Sequence, residues 1–189
     1  MSFAFTLEEH AGQPGDFATI YTFQKEGEEQ SEIEKFWAKP YVQQAPDHDA
    51  LRTRLYEDVL KEWNFTHRSC FQGKFRWFRN EGDATDPEGM HAEALWAPIP
   101  EKDRKHLSEP YPSLRLYCFR MEQLLFVGNG GVKETARPEQ DAELRAALQD
   151  VRVVMKRVHE RIEWTSSLNI VEKGYLLDGD HHFEKPDLP

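Results

Sequence analysis

The sequence predicts an α+β fold: a small antiparallel sheet of about four strands, two N-terminal helices on one face, and a long helix after the last strand. Three observations predict it. Leu114 to Phe119 and Leu124 to Val127 read as two apolar strands joined by Arg120-Met-Glu-Gln. Leu144, Leu148, Val151, Met155, Val158 and Ile162 recur at steps of four and three, the apolar stripe of a long helix. Leu51, Leu55, Val59 and Trp63 recur at four-residue steps in an earlier helix, with Leu60 beside them.

The remaining elements follow in order. Residues 1–16 are mixed and end in Gly12-Gln-Pro-Gly-Asp, a turn signal. Phe17-Ala-Thr-Ile-Tyr-Thr-Phe is aromatic and β-branched, so it reads as a strand. Lys25 to Lys39 is acidic, and Ile33, Phe36 and Trp37 give it an apolar stripe. This predicts a short amphipathic helix with a solvated carboxylate face, stopped by Pro40. Pro46-Asp-His-Asp opens the next helix, with Asp47 or Asp49 as its cap. Gly73 ends that pattern, and Lys74-Phe-Arg-Trp-Phe-Arg reads as a strand dense in aromatics and arginine. Residues 80–93 form an acidic loop, and Ala94-Leu-Trp-Ala reads as a short strand. Residues 101–113, next to Pro100 and containing Pro110 and Pro112, form a polar surface excursion. Gly128-Asn-Gly-Gly bends the chain. Pro138 suits the first turn of the long helix, with Glu139, Asp141 and Glu143 complementing its positive end. The tail from Trp164 is partly ordered, and Asp178 to Pro186 is polar and frays. No repeat or linker divides the chain, so it reads as one domain, residues 1–189, with an acidic, proline-rich insertion at about 80–113.

Bulk composition narrows the function classes. The 189 residues suffice for one well-filled domain, and 39% hydrophobic with 12% aromatic residues argues for a folded core. A net charge of −10 argues against broad, nonspecific nucleic-acid binding, but leaves room for a local basic site. Cys70 and Cys118 lie in apparent strands beside aromatics, as buried thiols in a reducing compartment do, and no CxxC suggests zinc. The N-terminus lacks the basic start and apolar core of a secretion signal, and no apolar run reaches membrane-spanning length. The expectation is a soluble, cytoplasmic protein without membrane contact. No nucleotide-loop, dinucleotide, serine-hydrolase or zinc-protease motif is present.

Lys74, Arg76, Arg79, Arg115, Arg120 and Lys133 all fall on predicted strands or beside them. Alternate strand residues share a face, which groups Lys74 with Arg76, and Arg115 with Tyr117 and Phe119. The Leu114, Leu116 and Cys118 face reads as core, with Arg120 at its end; the Arg115–Tyr117 face reads as the working surface. Guanidinium and ammonium groups stabilise the charge that builds on phosphorus when a ribose 2′-hydroxyl attacks the adjacent phosphate. Tyr117, Phe75 or Trp77 would stack a splayed base. The competing reading is that these arginines pair with surface carboxylates or cover aromatic faces. Asp178, Asp180, His181 and His182 hold metal-ligand chemistry, but adjacent histidines on a loose tail do not make a closed site, so no metal is expected. His10, His48, His67, His91, His106 and His159 have no fixed partner in sequence, and none stands out as a general base.

Leu114-Arg-Leu-Tyr-Cys-Phe-Arg, then Leu124-Leu-Phe-Val-Gly-Asn-Gly-Gly-Val-Lys-Glu-Thr and a long helix, resembles the end of the RelE/ParE toxin superfamily, most closely its HigB-like branch, over residues 113–150. The chain departs from that family in its length, its acidic insertion and its negative charge. The resemblance implies a toxin-like protein of a toxin–antitoxin pair, a metal-independent endoribonuclease acting on mRNA without a cofactor. Its partners would be a cognate antitoxin protein and RNA or the ribosome. In that reading Arg115, Lys133 and Arg76 bind and stabilise the phosphate; Lys74, Arg79 and Arg120 hold RNA; Tyr117 or Trp77 stacks a base. The alternative is a non-catalytic protein-binding module that uses its acidic surface and heptad helix. Nothing in the sequence specifies an oligomeric state.

Overall fold

The structure is a computed structural model that describes residues 2–61, 77–97, 113–133 and 138–186. The chain begins with strands β1 (Phe5–Ala11) and β2 (Thr19–Lys25), then helices α1 (Glu32–Ala38), α2 (Pro40–Gln43) and α3 (His48–Thr53), the last continuing as a π-helix over Arg54–Val59. Strands β3 (Phe78–Asn80), β4 (Glu93–Leu95), β5 (Ser113–Met121) and β6 (Leu124–Lys133) follow, then helix α4 (Pro138–Trp164). Strands β7 (Leu168–Val171), β8 (Leu176–Gly179) and β9 (His182–Phe183) close the chain.

The main sheet has seven strands in the order β3-β4-β5-β6-β2-β1-β9, and β7 and β8 form a separate two-stranded sheet. It is mixed: β2 and β6 run parallel, while the other neighbours are antiparallel. This corrects the predicted small antiparallel sheet of about four strands with two N-terminal helices and a long helix after the last strand: two strands precede the three short helices α1–α3, and three strands follow α4. Three local signals were too weak to read. In β1 only Phe5 and Leu7 alternate as buried apolar residues before Glu8, Glu9 and His10 dilute the period. Strand β9 has two residues, too few for any period. The β2–β6 pairing joins segments about a hundred residues apart, a contact that local pattern does not encode.

Both sheet faces are covered. Leu144, Ala147, Val151, Val154, Met155 and Val158 of α4 pack with Tyr21, Phe23, Tyr117, Phe119 and Phe126 on one face. Ile33, Phe36, Val42, Leu51, Leu55 and Val59 pack with Ile20, Leu114, Leu116, Cys118, Leu125 and Val127 on the other. The heptad stripe of α4 is therefore used within the chain. No helix among the described residues is long and apolar enough to cross a membrane.

Local chemistry explains the element ends. The Ser31 backbone N–H and Oγ donate to Glu34 Oε2 at 2.8 and 2.9 Å, a capping box that starts α1. Pro40 does not only stop that helix; it opens α2 from the first helical position, where its missing N–H costs nothing. Gly128-Asn-Gly-Gly does not bend the chain, because β6 runs through it to Lys133. Leu116 pairs with Gly130 and Cys118 with Val127, so Gly128 and Asn129 together face Tyr117 in a bulge. A Cβ on Gly130 would lie 1.8 Å from the Arg115 carbonyl oxygen, and one on Gly128 would lie 2.5 Å from Val151 Cγ2. These glycines permit close packing instead of a turn. Lys39 Nζ donates to Asn129 Oδ1 at 2.8 Å and to the Gly130 carbonyl at 2.7 Å, pinning the α1–α2 junction to the bulge.

The tail is also corrected. Phe183 pairs with Phe5, is 1% exposed, and stacks on the Phe5 ring at 4.5 Å. Arg161 lies over the Phe183 ring and donates to the Asp180 carbonyl, so α4 holds the segment that the polar composition would leave frayed. The predicted insertion at 80–113 supplies β4, a strand inside the sheet; residues 98–112 of it lie outside the described residues. Cys118 is a buried free thiol whose pKa is pushed up by burial, and Cys70 lies outside the described residues.

Candidate functional site

Strand register builds the site. Tyr117 of β5 pairs with Ala94 of β4, and Ala94 pairs with Arg79 of β3. Arg79, Tyr117 and, two residues along, Arg115 therefore share the face that α4 covers. Trp96 follows β4 on that face, and its backbone N–H donates to the Trp77 carbonyl at 3.1 Å. The guanidinium carbons of Arg115 and Arg79 pack over the Trp96 ring, 4.7 and 5.6 Å from its centre.

Arg115 is the unusual member. It is 4% exposed, and its Nη1 donates to the Leu114 carbonyl at 3.1 Å. Its Nε is buried without a hydrogen-bond partner, and no described carboxylate lies within ion-pair range. Burial, and next the positive charge of Arg79, lower its pKa, while the Glu81 and Asp47 charges act against that. Trp96 Nε1 is likewise buried without a partner. Tyr117 is 6% exposed, and burial, then the Glu81 charge, push its phenol up to about 12. It keeps its proton at neutral pH and remains a donor.

Two carboxylates flank the cluster. Asp47 is 1% exposed; its Oδ2 accepts the Leu114 N–H at 2.9 Å, its Oδ1 has no partner, and burial raises its pKa. Glu81 follows β3 and is placed through Arg152 of α4. Arg152 Nη2 donates to the Glu81 carbonyl at 2.5 Å, and Nη1 lies 3.1 Å from Asp83 Oδ2.

The structure separates the residues that sequence reasoning grouped. Arg79, Arg115 and Tyr117 come together. Arg120 does not: it lies on the opposite face, paired to Glu93 through Nε–Oε2 at 2.6 Å and Nη2–Oε1 at 2.7 Å, over the Phe78 ring. Lys133 is exposed at the end of β6 opposite Ser113, at the margin of the site. Trp77 packs on the helical face that α1 and α3 cover, under the Arg54 guanidinium at 4.9 Å. Lys74, Phe75 and Arg76 lie outside the described residues. The Arg115–Tyr117–Phe119 face is not open along its whole length, because Phe119 is core beneath α4. Tyr117 is buried too deeply to offer its ring face to a base, which leaves its phenol oxygen as the group to meet a ligand.

Sequence reasoning missed Trp96, Glu81 and Arg152. For Trp96 a signal existed, since it lies two residues beyond Ala94 in a strand that was read and so shares its face. Glu81 and Arg152 meet only through the loop after β3 and the placement of α4. Among the described residues no group of three or more histidine, cysteine or acidic side chains is placed to hold a metal ion. The Asp178–His182 segment instead forms local bonds, such as His182 N–H to Asp180 Oδ1 at 2.9 Å.

A separate cavity of about 690 Å³ lies between the β1–β2 loop and the β7–β8 loop. Glu9, Asp16 and Glu172 line it, which gives it the wrong sign for an anionic substrate. Compared with known proteins, the chain matches no family model, no curated protein and no solved structure.

Proposed function

We propose that this protein acts on RNA as a toxin-like, metal-independent endoribonuclease, with Arg79, Arg115, Tyr117 and Glu81 as its reacting groups. The observation that carries the reading is the gathering of two guanidinium groups on one indole, with Arg115 buried and no described carboxylate paired to it. A buried cation is expensive without a counter-charge, and a phosphate supplies one. The resemblance of residues 113–150 to the RelE/ParE toxins supports RNA as the substrate.

In this mechanism Glu81 takes the proton of the ribose 2′-hydroxyl as that oxygen bonds to phosphorus. The bond from phosphorus to the 5′-oxygen breaks, Tyr117 gives that oxygen a proton, and the products are a 2′,3′-cyclic phosphate and a 5′-hydroxyl. Arg115 and Arg79 stabilise the added negative charge at the transition state. Arg152 acts through Glu81 by holding its backbone, and Lys133 adds charge at the margin.

Induced expression in a bacterial host with a translation readout tests this. Wild type is expected to arrest growth, and the purified protein to cleave RNA in the presence of a chelator, leaving cyclic phosphate ends. Arg115→Ala is expected to lower cleavage by a factor of about 100 or more. Normal growth with wild type, together with no chelator-resistant cleavage, rejects the reading in favour of a non-catalytic binding protein.

A further inference from the structure

We infer that the Trp96 indole N–H is a phosphate-oxygen donor that works beside Arg115 Nε, so that the site takes a tetrahedral oxyanion. This rests on the functional reading above for the substrate but not for the binding chemistry. Buried N–H groups in folded proteins are nearly always paired. Among the described residues Arg54 Nε and Arg152 Nε each face a carboxylate, of Asp58 and Asp86, whereas Arg115 Nε and Trp96 Nε1 have no partner, and these two belong to one stack. Both are donors, so the missing partner is an acceptor. Two positive guanidinium groups lie on the same ring, so that acceptor is an anion.

The described carboxylates do not fill this role. Asp47 spends Oδ2 on the Leu114 N–H, and its Oδ1 is itself unpartnered, out of hydrogen-bond reach of Arg115 Nε. Glu81 acts on Arg115 only at longer range. The donor directions choose the shape of the ligand. An indole N–H points in the ring plane, while the two guanidinium groups pack over that ring. A carboxylate offers two oxygens in one plane. A phosphate offers oxygens in a tetrahedral spread, which matches donors that leave different planes. Trp96 therefore both orients the two arginines and donates to the ligand.

Calorimetric titration of the full chain with inorganic phosphate, at constant ionic strength, tests this against acetate. The expected result is saturable phosphate binding that acetate does not reproduce. Trp96→Phe keeps an aromatic ring beside both guanidinium groups while removing the N–H together with part of the ring area; it is expected to weaken phosphate binding about tenfold. Arg115→Gln is expected to abolish it. Circular dichroism confirms the fold of each variant, and if Trp96→Phe does not fold, a phosphate-dependent shift of the Trp96 indole N–H proton resonance in the wild type decides the matter. The inference is overturned if wild type binds no phosphate saturably, or if a folded variant binds as tightly as wild type. Trp96-dependent phosphate binding without RNA cleavage would uphold it while rejecting the nuclease. RNA cleavage with Trp96-independent phosphate binding would do the reverse.

Discussion

Arg115 and Arg120 lie five residues apart on one strand, and the fold treats them in opposite ways. Arg120 ends the core face beside α1–α3 and is held by both oxygens of the buried Glu93. Arg115 lies on the α4 face, buried where Arg120 is half-buried, and has an indole and a backbone carbonyl where Arg120 has a carboxylate. One cation is structurally complete; the other is stabilised only in part by the protein itself. The difference teaches which arginine is available to a ligand. A residue type, even on a shared strand, does not carry that information; its counter-charge does.

Four perturbations would sharpen or break this contrast. Arg120→Met leaves the Glu93 carboxylate buried and unpaired, so a loss of about 3–5 kcal/mol in denaturant unfolding is expected. A loss well below that would show that the Arg120 pair is not what completes its face. Gly130→Ala drives a Cβ into the Arg115 carbonyl across the bulge and should lower stability by about 3 kcal/mol, seen as a reduced melting temperature. The third concerns the dryness of the Arg115 end. An unfolded tyrosine ionises near 10, whereas buried Tyr117 does so at about 12. As pH rises through this window the unfolded chain loses the proton first, so stability is lost between about pH 10 and 12, by about 2 kcal/mol. Tyr117→Phe should flatten that part of the stability curve; an unchanged slope would mean the phenol is solvated. Arg115→Met should change stability by less than about 1 kcal/mol, because it strands no paired carboxylate. A large loss there would mean that Arg115 serves the fold in place of a ligand.

Much of the local structure was legible in the residues. The four-residue steps of Leu51, Leu55 and Val59, the stripe from Leu144 to Ile162 and the alternation of Leu114, Leu116 and Cys118 all mark buried faces, and those faces are buried. The extent of the sheet was not legible, because β1 alternates over only a few residues and β9 has two. The Gly128–Gly131 run misled for a specific reason. Glycine serves both turns and close packing, and only Val151 and the Arg115 carbonyl, from distant parts of the chain, show which use applies. The candidate site was legible in half: Arg79, Arg115 and Tyr117 stood out by type and strand phase, whereas the Trp96 stack and the Arg152–Glu81 contact depend on how β3, β4, β5 and α4 meet.

By itself the sequence determined the phase of its strands and helices, since side-chain periodicity is a property of neighbours along the chain. It also determined that 24 lysines and arginines would be outnumbered by 34 acidic residues. Tertiary structure alone decided which of those charges met a carboxylate. Glu93 reaches Arg120, and no described acid reaches Arg115, because electrostatic pairing depends on distance in space and on the water excluded around the pair. Neither quantity is written in the order of the residues.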